Sequence, residues 1–214
     1  MVEFDPAALD SNQQYKLLSA SVVPRPIGLV TTLGPEGPNA APFSFFNMVA
    51  VDPPMVMISC APRAPGVEKD TIRNIGLLPE FVVHIVDEPN REKMNLCSGE
   101  WPYGVNELEK AGFTTAPSRR VRPPRIADCP VQLECRVAHR LQLGRRPYNM
   151  VVGEVVTMHY REGLVDPATL YIDVPALRAM GRLEGRDIYA RLTDRFAMPR
   201  PVVGTEPERN KGKQ

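Results

Sequence analysis

What this sequence lacks narrows it first. No apolar run approaches the roughly 20 residues that a membrane-spanning helix needs. Residues 1–18 carry early acids and no apolar centre, so they do not read as a secretory signal. The four cysteines, Cys60, Cys97, Cys129 and Cys135, form no CxxC pair and lack metal-site spacing, and a chain of this size needs no disulfide framework. They read as structural thiols of a reduced, cytoplasmic protein. A formal net charge of +1 leaves no electrostatic footprint for nucleic acid or an anionic membrane, and neither is expected as a partner. His84, His139 and His159 have no metal-ligand spacing and no nucleophile beside them, so each is expected to be structural. No GxGxxG follows a strand, which argues against a nucleotide-binding βαβ unit.

What is present is a chain of 214 residues, 43% hydrophobic and 24% charged, enough to bury a real core as one domain. Its 23 prolines cut it into short pieces and favour sheet and loop over a helical bundle. Residues 27–32 read as a β-branched strand, residues 33–38 as a hairpin connection, and residues 39–46 as the returning strand. Pro42 cannot donate to a ladder, so that strand is expected at an edge or a bulge. Residues 55–60, 81–86 and 150–160 are further strands. Val131, Leu133, Cys135 and Val137 alternate with polar residues, and Leu141 and Leu143 continue the apolar face of a long strand. A late strand is expected over residues 170–172.

Helix signals are short. Asp70 is a good N-cap type ahead of Thr71 and Ile72. Residues 88–96 carry Pro89 in a first-turn position, residues 106–111 end at Gly112, and a further helical piece falls over residues 176–180. Many short strands with few short helices predict a mainly β fold, an antiparallel barrel.

Two segments carry candidate chemistry. Lys69, Asp70 and Thr71 stand where a helix begins. Unpaired backbone N–H groups, a partial positive charge, the Lys69 ammonium and the Thr71 hydroxyl together suit a phosphate. On its own the same tripeptide reads as a plain capped helix, with Asp70 the cap and Lys69 solvated. In residues 39–47, small residues beside polar ones on a broken strand let a planar ligand approach the backbone, with Ser44 and Asn47 as donors. The alternative is a bulged strand whose aromatics fill the core. The basic stretch from Arg119 to Arg125 reads as a solvated loop.

In order and spacing, these words resemble the flavin reductase-like, FMN-binding split-barrel family. The matching segments are residues 23–32 (VPRPIGLVTT), 39–47, 52–54, 69–75, 80–83, 123–126 and 153–155. The C-terminal arm at 189–191 and 198–201 matches as well. The resemblance implies a six-stranded antiparallel Greek-key split barrel over residues 1–198 with a C-terminal arm, while residues 199–214, polar and proline-rich without periodicity, are expected from their composition to be a disordered tail. It implies a homodimer with FMN near the subunit interface. Carried over by position, Arg25, Thr31, Thr32, Ala41, Pro42, Phe43, Ser44, Asn47 and Cys60 line the flavin, and Lys69, Asp70 and Thr71 hold its phosphate. The implied activity is an NAD(P)H-dependent flavin reductase in which NADH or NADPH passes hydride to flavin N5, which requires no acid–base dyad of the protein. A monooxygenase partner would take the reduced flavin. The alternative is an FMN-binding electron carrier without fast NAD(P)H oxidation.

Overall fold

The apolar run after Ile27 forms a strand because both of its faces find cover. In the computed structural model, which describes residues 1–201, the helix α1 (Ser11–Ser21) and the short β1 (Arg25–Pro26) precede β2 (Gly28–Gly34). Val30 enters one hydrophobic cluster and its neighbour Leu29 another on the opposite side, so the run lacks the alternation of a half-exposed strand. Pro35 and Glu36 turn the chain into β3 (Gly37–Phe43), which β4 (Phe46–Val51) and β5 (Pro54–Cys60) follow. Helix α2 (Asp70–Leu77) leads to β6 (Glu80–Ile85). Beyond it lie α3 (Arg91–Leu96), α4 (Glu107–Ala111), β7 (Thr115–Ala116) and β8 (Arg125–Ile126). The long hairpin β9 (Val131–Leu143) and β10 (Tyr148–Tyr160) comes next, then α5 (Val174–Leu177), β11 (Met180–Arg182) and β12 (Tyr189–Arg191).

Seven strands join in one sheet in the order β3-β2-β6-β9-β10-β5-β4, every neighbouring pair antiparallel. The two edges, β3 and β4, are consecutive in the chain, with only Ser44 and Phe45 between them. Laid flat, at about 4.8 Å per spacing, such a sheet would hold its edges roughly 29 Å apart. The link from Phe43 to Phe46 spans only about 10 Å. The sheet therefore curls until its edges meet, leaving a seam that no ladder crosses: a split barrel, mainly β with a few short helices, as the sequence predicts. The expected strand over residues 39–46 is in fact two. It ends at Phe43, and the chain crosses the seam to start β4, which accounts for a seventh strand beyond the six expected. Pro42 lies on an edge strand, where its missing N–H costs nothing.

Phe43, Ile58, Phe81, Val83, Cys135 and Val151 fill the barrel, and Ile72 and Ile75 of α2 close it. The second cluster lies between the outer face of β2 and the helices α3 and α4, where Ala40, Met94, Leu108, Phe113 and Ile126 meet. Gly112 ends α4 with φ +66°, the left-handed cap that its sequence position predicts.

The alternation of β9 holds only over its first half. Leu141 and Leu143 are exposed, at 49% and 46%, because β9 runs on past the end of β6, whose pairing stops at Arg136. Gln132 and Glu134, on the face expected to meet solvent, are buried because the segment before β9 folds over them. Glu134 accepts from the N–H groups of Arg119 (2.8 Å) and Arg120 (2.6 Å) and meets His159 Nε2 at 2.7 Å. Thr31 donates its hydroxyl to the Pro124 carbonyl at 2.6 Å. The side chains of Arg119, Arg120 and Arg122 stay exposed while their backbone is pinned to the barrel.

Two late elements differ from expectation. Residues 170–172 form no strand. Leu170 has φ +60° and donates its N–H to Asp166 at 2.8 Å, a turn that leaves a single bridge from Ile172 to Val165. The helical piece is α5, ending at Leu177, and Met180 already belongs to the small sheet β1-β11-β12. Helix α1 has a capping box that the composition obscured: Asp10 accepts from the N–H groups of Asn12 and Gln13, and Gln13 reaches back to the Asp10 N–H at 3.0 Å. No helix among the described residues is long and apolar enough to cross a membrane. Most of the expected tail, past residue 201, lies outside the described residues.

Candidate functional site

Helix α2 starts where the chain comes back from β5, and its first turn faces β3. Lys69 is the N-cap residue with extended backbone (φ −69°, ψ 148°) and makes no side-chain capping bond. Asp70, expected as the cap, occupies the first helical position instead. Its carboxylate pairs with Arg63 Nη2 at 3.1 Å, a placement the positive end of the helix favours. The Lys69 carbonyl accepts from Ile72 and Arg73, so the N–H groups of Asp70 and Thr71 are first-turn donors without an intrahelical partner.

Opposite this turn, β3 supplies Asn39, Ala41, Pro42 and Phe43, and a cleft of about 100 Å³ lies between the two, floored by Ser98 and Gly99. A buried polar chain fixes its wall. The Glu107 carboxylate accepts from Asn39 Nδ2 at 2.8 Å and from the Ala40 N–H at 2.9 Å. Asn39 Oδ1 in turn accepts from the Thr71 hydroxyl at 3.0 Å, with the Thr32 hydroxyl at 3.4 Å. Asn74 Nδ2 donates to Thr32 at 3.1 Å. Burial pushes the Glu107 carboxyl above the usual carboxylate range against the pull of those donors. With Asp70 neutralised by Arg63, Lys69 is left with no ion pair among the described residues, half-buried at the mouth of the cleft.

These residues fit a phosphate: a cation, unpaired first-turn N–H groups, and the small Ala41 that lets a ligand reach the β3 backbone. Past Ser44, which sits half-buried in the seam, the surface opens into a hollow of about 1030 Å³ between α1 and the turn before β10. Its wall is the stacked pair Phe45 and Tyr148, with ring centroids 6.3 Å apart and planes at 16°.

Of the residues expected at the site, Lys69, Asp70, Thr71, Ala41, Pro42 and Phe43 line one cleft. Thr32 stands behind it, fully buried, bonded to Asn39 and Asn74. Ser44 lies between the cleft and the hollow. Asn47 is exposed on β4 and its Oδ1 accepts from the Met48 N–H. Cys60 ends β5 with a thiol that burial pushes up to about 11, which makes it a packing group and not a thiolate. Thr31 points to the other side of the sheet and spends its hydroxyl on Pro124. Arg25 lies away from the cleft, its guanidinium against the carbonyls of Ser19 and Val22, and burial lowers its pKa. The sequence did not single out Arg63, Ser98 or Glu107. Arg63 sits among prolines without periodicity, and Glu107 reads as an ordinary first-turn acid; only the fold turns them toward β3.

Comparison with known proteins agrees with this architecture. The flavin reductase like domain matches residues 20–176. The crystal structure of nitrilotriacetate monooxygenase component B from Bacillus cereus is 33% identical with a TM-score of 0.88, covering 92% of this chain and 98% of that one. The 2-nitrobenzoate 2-nitroreductase NbaA of Pseudomonas fluorescens is 37% identical with a TM-score of 0.85, over 96% of this chain and 100% of its own. A Deinococcus radiodurans protein is 39% identical across 92% of this chain and 88% of itself. A seam-closed barrel, a phosphate-sized cleft at the start of α2 and a match across most of the chain converge: this protein belongs to the flavin reductase-like domain family.

Proposed function

We propose that this chain is an NAD(P)H-dependent flavin reductase that holds FMN with its phosphate at Lys69 and its ring along the seam. The observation that carries the reading is the meeting of two distant segments, residues 39–43 and 69–71, around one cleft. A flavin held there would supply the chemistry, as the acceptor of hydride from NADH or NADPH. The chain's task is binding and orientation. Lys69 and the first-turn N–H groups of Asp70 and Thr71 take the phosphate. Ala41, Pro42, Phe43 and Ser44 present a flat backbone edge to the ring, and Phe45 with Tyr148 walls the hollow in which a nicotinamide can lie. Thr32 acts through Asn39, keeping the cleft wall in place, and Cys60 packs beneath it. Arg25 and Thr31, which stand outside the cleft, have no part in this assignment.

Met48 and Val49 are 62% and 49% exposed on β4 beside Asn47, and their exposure supports a homodimer that covers this edge and brings Asn47 to the flavin. Likeness to a monooxygenase component supports a partner oxygenase as consumer of the reduced flavin. Four buried, unpaired cysteines support a cytoplasmic location.

Anaerobic mixing of the flavin-loaded protein with NADH and with NADPH tests the activity. Rapid bleaching of the flavin absorption with either is the expected result. Flavin that stays oxidised with both would refute the reductase assignment.

A further inference from the structure

The hollow beside the seam carries charge of one sign. Its charged lining residues are Arg145 and Arg146, in the turn between β9 and β10, and no carboxylate lines it among the described residues. The two acids that flank Pro6 to Leu9 on its far wall are spent elsewhere. Asp5 accepts from the Ala7 N–H at 2.9 Å, and Asp10 caps α1. That wall is also fixed, because Gln14 donates from Nε2 to the carbonyls of Pro6 (2.7 Å) and Leu9 (3.0 Å).

The two arginines are held differently. Arg146 donates from Nη2 to the Pro62 carbonyl at 3.1 Å, which ties the turn to the loop after β5. Arg145 is exposed and makes no hydrogen bond or ion pair among the described residues. Both also line a cavity of about 700 Å³ on the other side of the turn, where Glu68 is the one acid among the lining residues and pairs with neither. Arg145 is therefore a cation without an internal partner, carried on a braced turn.

NADPH differs from NADH by one group, a phosphate on the 2′ oxygen of its adenosine ribose. A site that selects NADH holds a carboxylate, which accepts from the ribose hydroxyls and repels that phosphate. A site that takes NADPH offers arginine instead. The hollow has the second lining. We propose that it selects NADPH over NADH, with Arg145 meeting the 2′-phosphate and Arg146 holding the turn that presents it. This deepens the reductase reading above and rests on it, since that reading puts the nicotinamide against Phe45 and Tyr148. The hollow, about 1030 Å³, is at the upper end of the roughly 300–1,000 Å³ of small-molecule sites, room for more of a dinucleotide than its nicotinamide. The contact faces solvent, so the preference should fall as salt is raised.

Calorimetric titration of the FMN-loaded chain with NADP+ and with NAD+ reads this without turnover. The wild type is expected to bind NADP+ more tightly, by roughly tenfold or more, the scale of a charge-assisted contact. Arg145→Glu, a change on an exposed turn, should abolish or invert that ratio, and Arg145→Lys should keep part of it. Equal affinities in the wild type, or a ratio that Arg145→Glu leaves unchanged, would overturn the assignment. Anaerobic flavin bleaching separates this failure from that of the reading beneath it. Bleaching by NADH and NADPH with the same concentration dependence leaves the reductase standing and removes the preference. Bleaching by neither overturns both.

Discussion

Acid should loosen this protein through His84, and the size of the effect follows from the surroundings of the ring. His84 is wholly buried on β6. Its Nδ1 lies 2.9 Å from the Leu29 carbonyl, and its Nε2 lies 2.9 Å from the Ile126 N–H. Those partners require the neutral ring with Nδ1 protonated, because a second ring proton would face the Ile126 N–H. Burial lowers its pKa from 6.5 to about 4, outweighing the Leu29 carbonyl, which favours the charged ring. Between those values the unfolded chain binds a proton that the folded chain does not, so stability falls as pH falls through that window. From pH 7 to pH 5 the loss comes to about 2 kcal/mol. His84→Gln keeps one donor and one acceptor but cannot titrate. At pH 7 the variant is expected to be less stable, by about 1–2 kcal/mol for imperfect bonding. That deficit should shrink toward zero by pH 5 as the wild type loses its advantage. Urea unfolding of both proteins from pH 7.5 to pH 4.5, with m held constant, measures the difference directly and cancels the titrations they share. A stability gap that does not change with pH would refute the assignment of a neutral, acid-sensitive His84.

Three further outcomes follow from the geometry. Lys69→Ala should weaken FMN binding by roughly 1.5–3 kcal/mol; a titration showing unchanged affinity would place the phosphate elsewhere. Gly153→Ala should destabilise the fold by about 1–3 kcal/mol, since a Cβ there would stand 2.3 Å from Phe81 Cζ and 3.0 Å from Cys135 Cβ; a thermal midpoint equal to wild type would mean that the Phe81 ring moves aside freely. Glu107→Ala strips the acceptor from two buried donors, Asn39 Nδ2 and the Ala40 N–H, and should cost about 2–4 kcal/mol. Denaturant unfolding reads that cost, and a variant as stable as wild type would show that the carboxylate does not hold the cleft wall.

Much of the barrel was legible because its strands are short, β-branched and bounded by proline and glycine. The segment at residues 69–71 was legible as a helix start, although its cap was not. Asp70 is the capping type that the local pattern offers and Lys69 is not, yet Asp70 stands one position inside the helix, with its carboxylate on Arg63 instead of on the first-turn amides. The solvent-side reading of Glu134 failed for a related reason. Alternation says which residues share a face, not what covers it, and the segment carrying Arg119 and Arg120 reaches Glu134 from outside its own strand. Leu141 and Leu143 continue the apolar pattern past the point where the barrel can use it. Glu107, Asn39 and Thr71 come together through three elements whose pairing no local spacing encodes.

The seam between β3 and β4 gives the barrel an uneven stiffness. Around most of its circumference each strand is held on both sides, so bending it there strains two ladders at once. At the seam only side-chain packing and the covalent link through Ser44 and Phe45 resist opening. Low-frequency distortion of the barrel therefore concentrates on that line, and the unladdered amides of the β4 edge should exchange with solvent well before those of β9, which has a strand on each side. The compliant line is also the one along which a flat ligand would lie, so that ligand would act as a splint and slow exchange there more than anywhere else in the sheet.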